Sequence, residues 1–487
     1  MKSSNAEEIP INVCGSSKFS IFPKPSLEKT YNMYISDGWM LSFPGYERLY
    51  KEGTSGKGRG IFRSIRGNFM LAVIGSGVYV INSSLAPLHV GNIDTTFGEV
   101  SIDENLSNQI CIVDGLNAYI YNYADAFTVG ILTPQSMGSG IIPGYVAFHN
   151  ELFLIGSAPT STLPQKWYAY AYASPTTIVQ SSSYTLSTKP DMALAVIRIP
   201  GRGNNIMVFG SAVTEIWAYS PTVGAGGVPL AYQRISSYNI DNGCVSIATI
   251  SAGDDIVAWL SQNENNSPVI MTSNGSETKT ISTDGIDHLM RSIKFPTQST
   301  AFFYKQNGHL FYQLTFYNKS DNLTLIYDFT TQQFFHLSDE NLDYHPACDV
   351  VYFEKKSYFI SLNDEFLYEI GDDFNDANGE VIPRIRICKT ARKEDNSIFR
   401  SGYFTFWIEQ GVTDYNEGDN APRVDMSFSK DGNQSFSNVV GRELNHQAHF
   451  RNRLNWYRMG MANEFTIQLR FWGLQRFVVT DGILEAF

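Results

Sequence analysis

His446 and His449 stand three residues apart in a chain of 487 residues, a spacing that would set two imidazoles on one face of a helix and make half of a zinc site. No third ligand lies nearby, and neither an H-E-x-x-H helix nor a G-x-S-x-G nucleophile elbow occurs. The pair therefore reads as part of a polar surface loop. Residues 53–60, GTSGKGRG, have the glycines and lysine of a phosphate loop but lack the Ser or Thr that must follow Gly-Lys, and they open no helix. Residues 372–379, DDFNDANG, have the acids and turn residues of a calcium loop. With a glycine at its sixth position, however, Phe374 and Ile385 would fall at positions one and twelve, where carboxylates are required, so the stretch reads as a linker. The acid pairs Asp254-Asp255 and Asp372-Asp373 fall in turns, where Asp is used for local hydrogen bonding. The run from Ser429 to Phe436, SKDGNQSF, is close to the Asp-box pattern S-x-D-x-G-x-T-W and departs from it at the Gly position, where Asn433 stands; such boxes are hairpin turns and not catalytic. No catalytic, cofactor-binding or metal-ligating residue is assigned, no cofactor is expected, and no enzymatic activity is expected.

The elements that would have to position any site are strands. Aromatic residues make up 14% of the chain and charged residues 17%, and Tyr, Phe, Val, Ile and Thr crowd into short runs. One amphipathic segment, 282–294 with Ile286, Leu289, Met290 and Ile293, has helical period. A net charge of -12 argues against a general nucleic-acid-binding surface, because affinity for phosphates comes chiefly from Lys and Arg displacing counterions. The first residues have no apolar export-signal core, and no stretch offers the 18 consecutive apolar residues of a membrane span. The five cysteines, Cys14, Cys111, Cys244, Cys348 and Cys388, are scattered and odd in number; they read as small buried residues in a reducing compartment.

Residues 97–123 set the pattern of the whole: an apolar run, a turn, the β-branched run 109–113, an Asp114-Gly115 turn, and alternating aromatics to Tyr123. Such hairpins begin at Phe69, Gln109, Glu151, Asn205, Asp255, His309 and Ser357, in steps of 40 to 54 residues. Most are preceded by a further apolar run, as at Gly144, Ala193, Cys244, Thr300 and Asp349. Four strands in a period of that length mark a β-propeller blade. The expected fold is all-β: a propeller of about seven four-stranded blades over 51–380, followed by a β-sandwich-like domain over 381–487. Residues 1–50 are expected to form an N-terminal arm that lends a strand to close the ring. The stretches 156–166, 175–190, 219–229 and 411–421 read as long polar loops carrying contacts. Arg384, Arg386, Lys389, Arg392, Lys393 and Arg400 form the densest basic run, read either as a solvated edge or as a contact for an acidic protein partner.

Several short motifs, in order, carry a resemblance. They are Asn32-Met33, Ser42-Phe43-Pro44-Gly45, Val208-Phe209-Gly210-Ser211 with Thr214-Glu215-Ile216-Trp217, the stretch from Ile286 to Ser292, Ser429-Lys430-Asp431-Gly432, and the stretch from Arg453 to Gly460. Together they resemble the packaged DNA stabilization proteins of short-tailed bacteriophages, along almost the whole chain. The resemblance implies a structural protein of the virion tail, made in the host bacterial cytoplasm. It implies a homo-oligomeric ring, a hexamer, below the portal and its adaptor protein. That ring would retain packaged DNA, form the exit channel without sequence-specific DNA binding, and hold a tail needle or plug and tailspikes or tail fibres. It carries no catalytic residues. Two other classes fit an all-β chain: a glycan-binding or glycan-cleaving propeller, which would need a cluster of carboxylates with Arg or Tyr in one channel, and a monomeric scaffolding propeller.

Overall fold

The computed structural model describes residues 6–22, 27–51, 56–123, 130–223, 229–265, 268–411, 421–445 and 453–487. Every hairpin read from the sequence is present, and each supplies the second and third strands of a blade. In blade 1, Phe69–Ile74 pairs with Gly77–Ile81, flanked by Gly58–Ser64 on the inside and Pro87–Asn92 on the outside. Blade 2 repeats the order with Ser101–Glu104, Gln109–Val113, Ala118–Asn122 and Ile131–Gln135. Blades 3 and 4 run from Pro143–His149 to Thr177–Thr185 and from Ala195–Arg198 to Pro229–Ile240. Blade 5 starts at Ser251–Gly253, blade 6 at Ser299–Gln306 and blade 7 at Ala347–Phe353.

Strand alternation gives each blade two apolar faces, and each face packs on the next blade. Seven such interfaces close the circle; the one between blades 7 and 1 joins Tyr358 and Ile360 to Met70 and Tyr79. Between blades 3 and 4, Trp167 stacks on Tyr184 at 4.2 Å and meets Trp217 edge-on at 5.4 Å. The fourth strand of blade 7 comes from the N-terminal side of the chain: Gly45–Lys51 pairs antiparallel with Phe366–Gly371. Gly45 sits in the Ser42-Phe43-Pro44-Gly45 motif because a Cβ there would collide with the Asp376 backbone. The acidic stretch 372–379 is the clasp of this closure, with Gly45 N donating to Phe374 O at 2.7 Å and Tyr46 N to Asp376 O at 2.9 Å.

The sandwich is built from both ends of the chain. One sheet holds Met33–Ser36, Trp39–Ser42, Val478–Ala486, Phe399–Ile408 and Arg453–Ala462, with Glu7–Ile11 also on Val478–Ala486. The other holds Arg384–Ile387, Glu464–Trp472, Arg423–Ser429 and Val440–Glu443 and is continuous with blade 6. Phe404, Trp456, Phe465, Phe471 and Leu484 fill the space between them.

Three sequence readings change. The stretch 219–229 is not a loop throughout: 219–223 end the strand Thr214–Val223, and Pro229 opens the strand Pro229–Ile240 that pairs with it. The run after Cys244 is not one strand: it breaks into a 3-10 turn, Ile247–Thr249, because hydroxyls compete for the backbone there. Thr249 Oγ1 donates to Ser246 O at 2.7 Å and accepts from Leu260 N at 3.1 Å. The Ser/Thr-rich stretch 175–190 is not a loop throughout but contains Thr177–Thr185, whose buried Ile178 and Tyr184 face blade cores while most hydroxyl residues face water. The helix Asp284–Ser292 forms within 282–294 and buries Ile286 and Met290.

Gly45→Val should therefore open the ring at its clasp. Hydrogen exchange of the 366–371 amides should lose protection while that of the blade 3 and blade 4 strands is kept; equal protection in the variant would show that closure does not depend on this approach.

Candidate functional site: the central channel and the propeller–sandwich joint

The inner strands of all seven blades surround one axial cavity of about 220 Å³, to which Gly60, Ser101, Tyr145, Ile197, Ser251, Thr300 and Asp349 each contribute from a different blade. Hydroxyls and carboxylates tie neighbouring inner strands together. Ser101 Oγ bonds Val146 O at 3.1 Å, Asp103 Oδ2 accepts from Phe148 N at 2.7 Å, and Thr300 Oγ1 donates to Cys348 O at 3.1 Å. Glu99 and Asp349 also line the cavity. Burial pushes the Glu99 carboxyl up to about 8, against a hydrogen bond from Tyr317 that works the other way, and it pushes Asp349 up to about 7. Among the described residues, Glu99 Oε1 has no hydrogen-bond partner. These are two carboxyls whose ionisation burial opposes inside a narrow pore, below the roughly 300–1,000 Å³ usual for a ligand pocket.

The residues that looked like candidates for chemistry are used in the scaffold. Arg59, from the apparent phosphate loop, is buried and donates to Gly75 O, Thr95 O and Phe97 O at 2.8–2.9 Å, fixing the turn between blades 1 and 2; residues 52–55 of that stretch lie outside the described residues. In the Asp-box turn, Asp431 accepts from Ser435 Oγ, Ser435 N and Gln434 N, and these bonds hold its carboxyl well below the usual range. His446 and His449 lie outside the described residues, as do 412–420 of the 411–421 tip and 224–228 of the 219–229 loop. Among the described residues, no group of three or more His, Cys, Asp or Glu could hold a metal ion, and no helix is long and apolar enough to cross a membrane.

The motif residues gather at joints. Asp191 accepts from Ser211 N at 3.0 Å, Ala212 N at 2.7 Å and Val213 N at 3.1 Å, and a Cβ on Gly210 would strike its carboxylate. Glu215, fully buried, accepts from Ser187 N at 3.0 Å, Thr188 N at 2.7 Å and Trp217 Nε1 at 3.0 Å. Asn32, at φ 55°, donates to Ser338 Oγ at 2.8 Å and Pro383 O at 2.9 Å and accepts from Ser338 N at 2.8 Å, tying blade 6 to the start of the sandwich.

Beside it, Lys29–Tyr31 pairs antiparallel with Arg384–Ile387 and, at Tyr31, parallel with His336 of blade 6, so one sheet of ten strands runs from propeller into sandwich. Arg386 locks this joint. Its five N–H groups reach Val13 O at 2.9 Å, Ser16 O at 3.0 Å, Thr30 Oγ1 at 3.1 Å, Asn12 O at 2.9 Å and Glu28 Oε1 at 2.9 Å. Arg384 is equally buried and over the Phe477 ring at 5.6 Å, and burial pushes its guanidinium down to about 10. The basic run is thus only partly a surface: Arg384 and Arg386 are internal, and Arg392 and Lys393 face Glu464 and Glu7. Neither the depth of these arginines nor the N-terminal strands of the sandwich had a sequence signal, because the pairings span more than 300 residues.

Two outcomes are expected. Arg386→Ala leaves Glu28 and several carbonyls buried without their donor and should cost about 3–5 kcal/mol in denaturant unfolding; Arg386→Lys should not restore it, since an ammonium cannot reproduce the five-donor fork. In the channel, the folded chain holds protons on Glu99 and Asp349 at pH values where the unfolded chain has released them, so stability should fall as pH rises from about 5 to about 8. Glu99→Gln should flatten that decline in melting temperature, and an unchanged slope would remove Glu99 from its cause.

A family model described as Bacteriophage P22 Gp10, beta-propeller, matches residues 20–374. Among solved structures, the chain is similar to a streptogramin B lyase at 11% identity, covering 69% of this chain and 99% of that one, with a TM-score of 0.41. It is also similar to a catalytically inactive virginiamycin B lyase from Staphylococcus aureus with quinupristin, at 10% identity over 67% and 98%, TM-score 0.42. The WD40 β-propeller domain of Doa1 matches at 10% identity over 67% and 97%, TM-score 0.40. A search of curated proteins found no match. The chain belongs to the family of the bacteriophage P22 Gp10 β-propeller, phage tail proteins that stabilise packaged DNA.

Proposed function

We propose that this chain is a ring-forming structural component of the tail of a short-tailed bacteriophage, with six copies seated below the portal and its adaptor. In this reading the ring retains the packaged genome, forms its exit channel, and holds a needle or plug and the tailspikes or fibres. The observation that carries the ring is the joint: one continuous sheet and the Arg386 fork make propeller and sandwich a single stiff block, which suits a part that must keep its place in a wall.

The propeller's own pore cannot be the conduit. A cavity of about 220 Å³ crossed by side chains admits no duplex, whose major groove alone is about 12 Å wide. A DNA channel must lie between copies. With 48 acidic against 36 basic residues, such a wall repels phosphates and retains DNA by closing around it or seating a plug, not by gripping it. The chain is inferred to hydrolyse neither polysaccharide nor nucleic acid, a reading supported by its membership of a family of phage tail proteins.

Particles assembled without this protein should package DNA and then leak it, and the isolated chain should bind duplex DNA poorly even at low salt. DNA-filled particles that stay intact without it would overturn the retention role, while tight, steeply salt-dependent binding would overturn the passive wall.

A further inference from the structure

At one end of the propeller, the first turns of blades 2 and 3 and the outer strands of blades 3 and 4 enclose a groove of about 680 Å³, within the roughly 300–1,000 Å³ usual for a ligand pocket. Its apolar surface includes the rings of Phe148, Tyr219 and Tyr172, the last 45% exposed. Small polar groups stand among the rings: Ser107, Asn150, Ser181 and the carboxylate of Glu151. Among the described residues, neither Lys, Arg nor His lines the groove, and Asn150 Nδ2 has no hydrogen-bond partner. Ser181 reaches the groove because the fourth strand of blade 3 bulges there. Gln180 opposes Tyr170 and Ser182 opposes Ala169, which leaves Ser181 outside the register.

The walls are held in place by their own hydrogen bonds. Asn105 Oδ1 accepts from Ser107 N at 2.9 Å and Gln109 N at 3.0 Å, which shapes the turn of blade 2. Gln109 Nε2 then donates to Ser174 O at 2.7 Å and Pro175 O at 3.1 Å, clamping that turn to the end of the strand that carries Tyr172. Tyr219 N donates to Asn204 O at 2.7 Å, and its ring meets Tyr232 at 5.4 Å and His149 at 6.2 Å. A cleft fixed in this way loses little conformational entropy when it is filled.

Its chemistry selects among ligand classes. A pyranose ring has an apolar C–H face that packs on an aromatic ring, and its hydroxyls both donate and accept, as Ser, Asn and Glu side chains require. A phosphate or carboxylate ligand would meet no cation here and would face Glu151. A protein segment would favour neighbouring apolar anchors, whereas these rings are interspersed with hydroxyls, an amide and a carboxylate. Glu151 is the one acidic residue among the described lining residues, so the carboxylate pair that glycoside hydrolysis uses is missing.

We propose that this groove binds a neutral oligosaccharide without cleaving it, with Tyr172 as the stacking platform and Ser107, Asn150 and Glu151 as partners for sugar hydroxyls. The proposal goes beyond the tail reading and does not depend on the ring. It is tested on the full chain by calorimetric titration and saturation-transfer NMR. The neutral probes are maltohexaose, cellohexaose, mannohexaose and N-acetylchitohexaose, and the anionic probe is hexagalacturonate. The expected result is that at least one neutral probe binds with a Kd of about 1 mM or tighter, and hexagalacturonate about tenfold or more weakly than that probe. Tyr172→Ala should weaken binding about tenfold or more, Tyr172→Phe should keep most of it because the ring remains, and Glu151→Gln should weaken it measurably. Tyr352→Ala, at an exposed ring of blade 7, should bind as wild type does, and the melting temperature of Tyr172→Phe should match wild type. If no neutral probe binds at about 10 mM, the groove is left to a protein segment and the proposal fails, whatever becomes of the tail reading. Binding that survives Tyr172→Ala, or that favours hexagalacturonate, would overturn it as well.

Discussion

A circle of blades has no free end, and here its last blade is completed by chain that comes before the first blade. The pairing of Gly45–Lys51 with Phe366–Gly371 joins residues more than 300 apart. Loop-closure entropy grows only logarithmically with length, so the distance adds little to its cost. What the closure gains is cooperative: without it, blades 7 and 1 would each expose an edge and an apolar face. The same N-terminal run continues backward through Asn32 and Lys29–Tyr31 into the sandwich, so ring closure and the propeller–sandwich joint are consecutive segments of one chain. Neither can be loosened without straining the other.

The sequence made the middle of each blade readable because a hairpin is local. Gln109 to Asn122 carries its β-branched run, its Asp114-Gly115 turn and its aromatics within a few residues, and the observed register follows. The first and fourth strands were harder. Ser251–Gly253 and Thr177–Thr185 are short or hydroxyl-rich and take their strand state from neighbours. The joint was not readable, since an arginine in the middle of Arg384–Ile387 has the same local appearance whether it faces water or five buried acceptors. Only the fold distinguishes Arg386 from Arg400.

The carboxylates show the same division. Read from sequence, they are candidate acids; in the fold, Asp191 and Glu215 hold runs of backbone N–H groups and Asp431 holds its own turn. For Asp431 those donors hold the carboxyl well below its usual range, so it cannot serve readily as a proton carrier. Glu99 and Asp349 are the opposite case, raised by burial inside a pore of about 220 Å³. The carboxylates at Asp191, Glu215 and Asp431 thus mark places where chain segments or turns are fastened.

For the wall proposed above, stiffness matters more than affinity. Electrostatic repulsion from an acidic surface decays over a Debye length of about 8 Å at physiological ionic strength. It can keep a duplex from adhering but cannot support a load along the channel. Load must pass through covalent chain and packed sheets. In this molecule it would enter the sandwich, cross Arg384–Ile387 and Lys29–Tyr31 through ladder hydrogen bonds, and reach blade 6 at His336 without meeting a hinge. The buried Arg386–Glu28 pair is a poor choice if stability alone were wanted, since apolar residues could match it. It is a good one where three chain segments must be held in a single geometry, because all five donors are satisfied in only one arrangement.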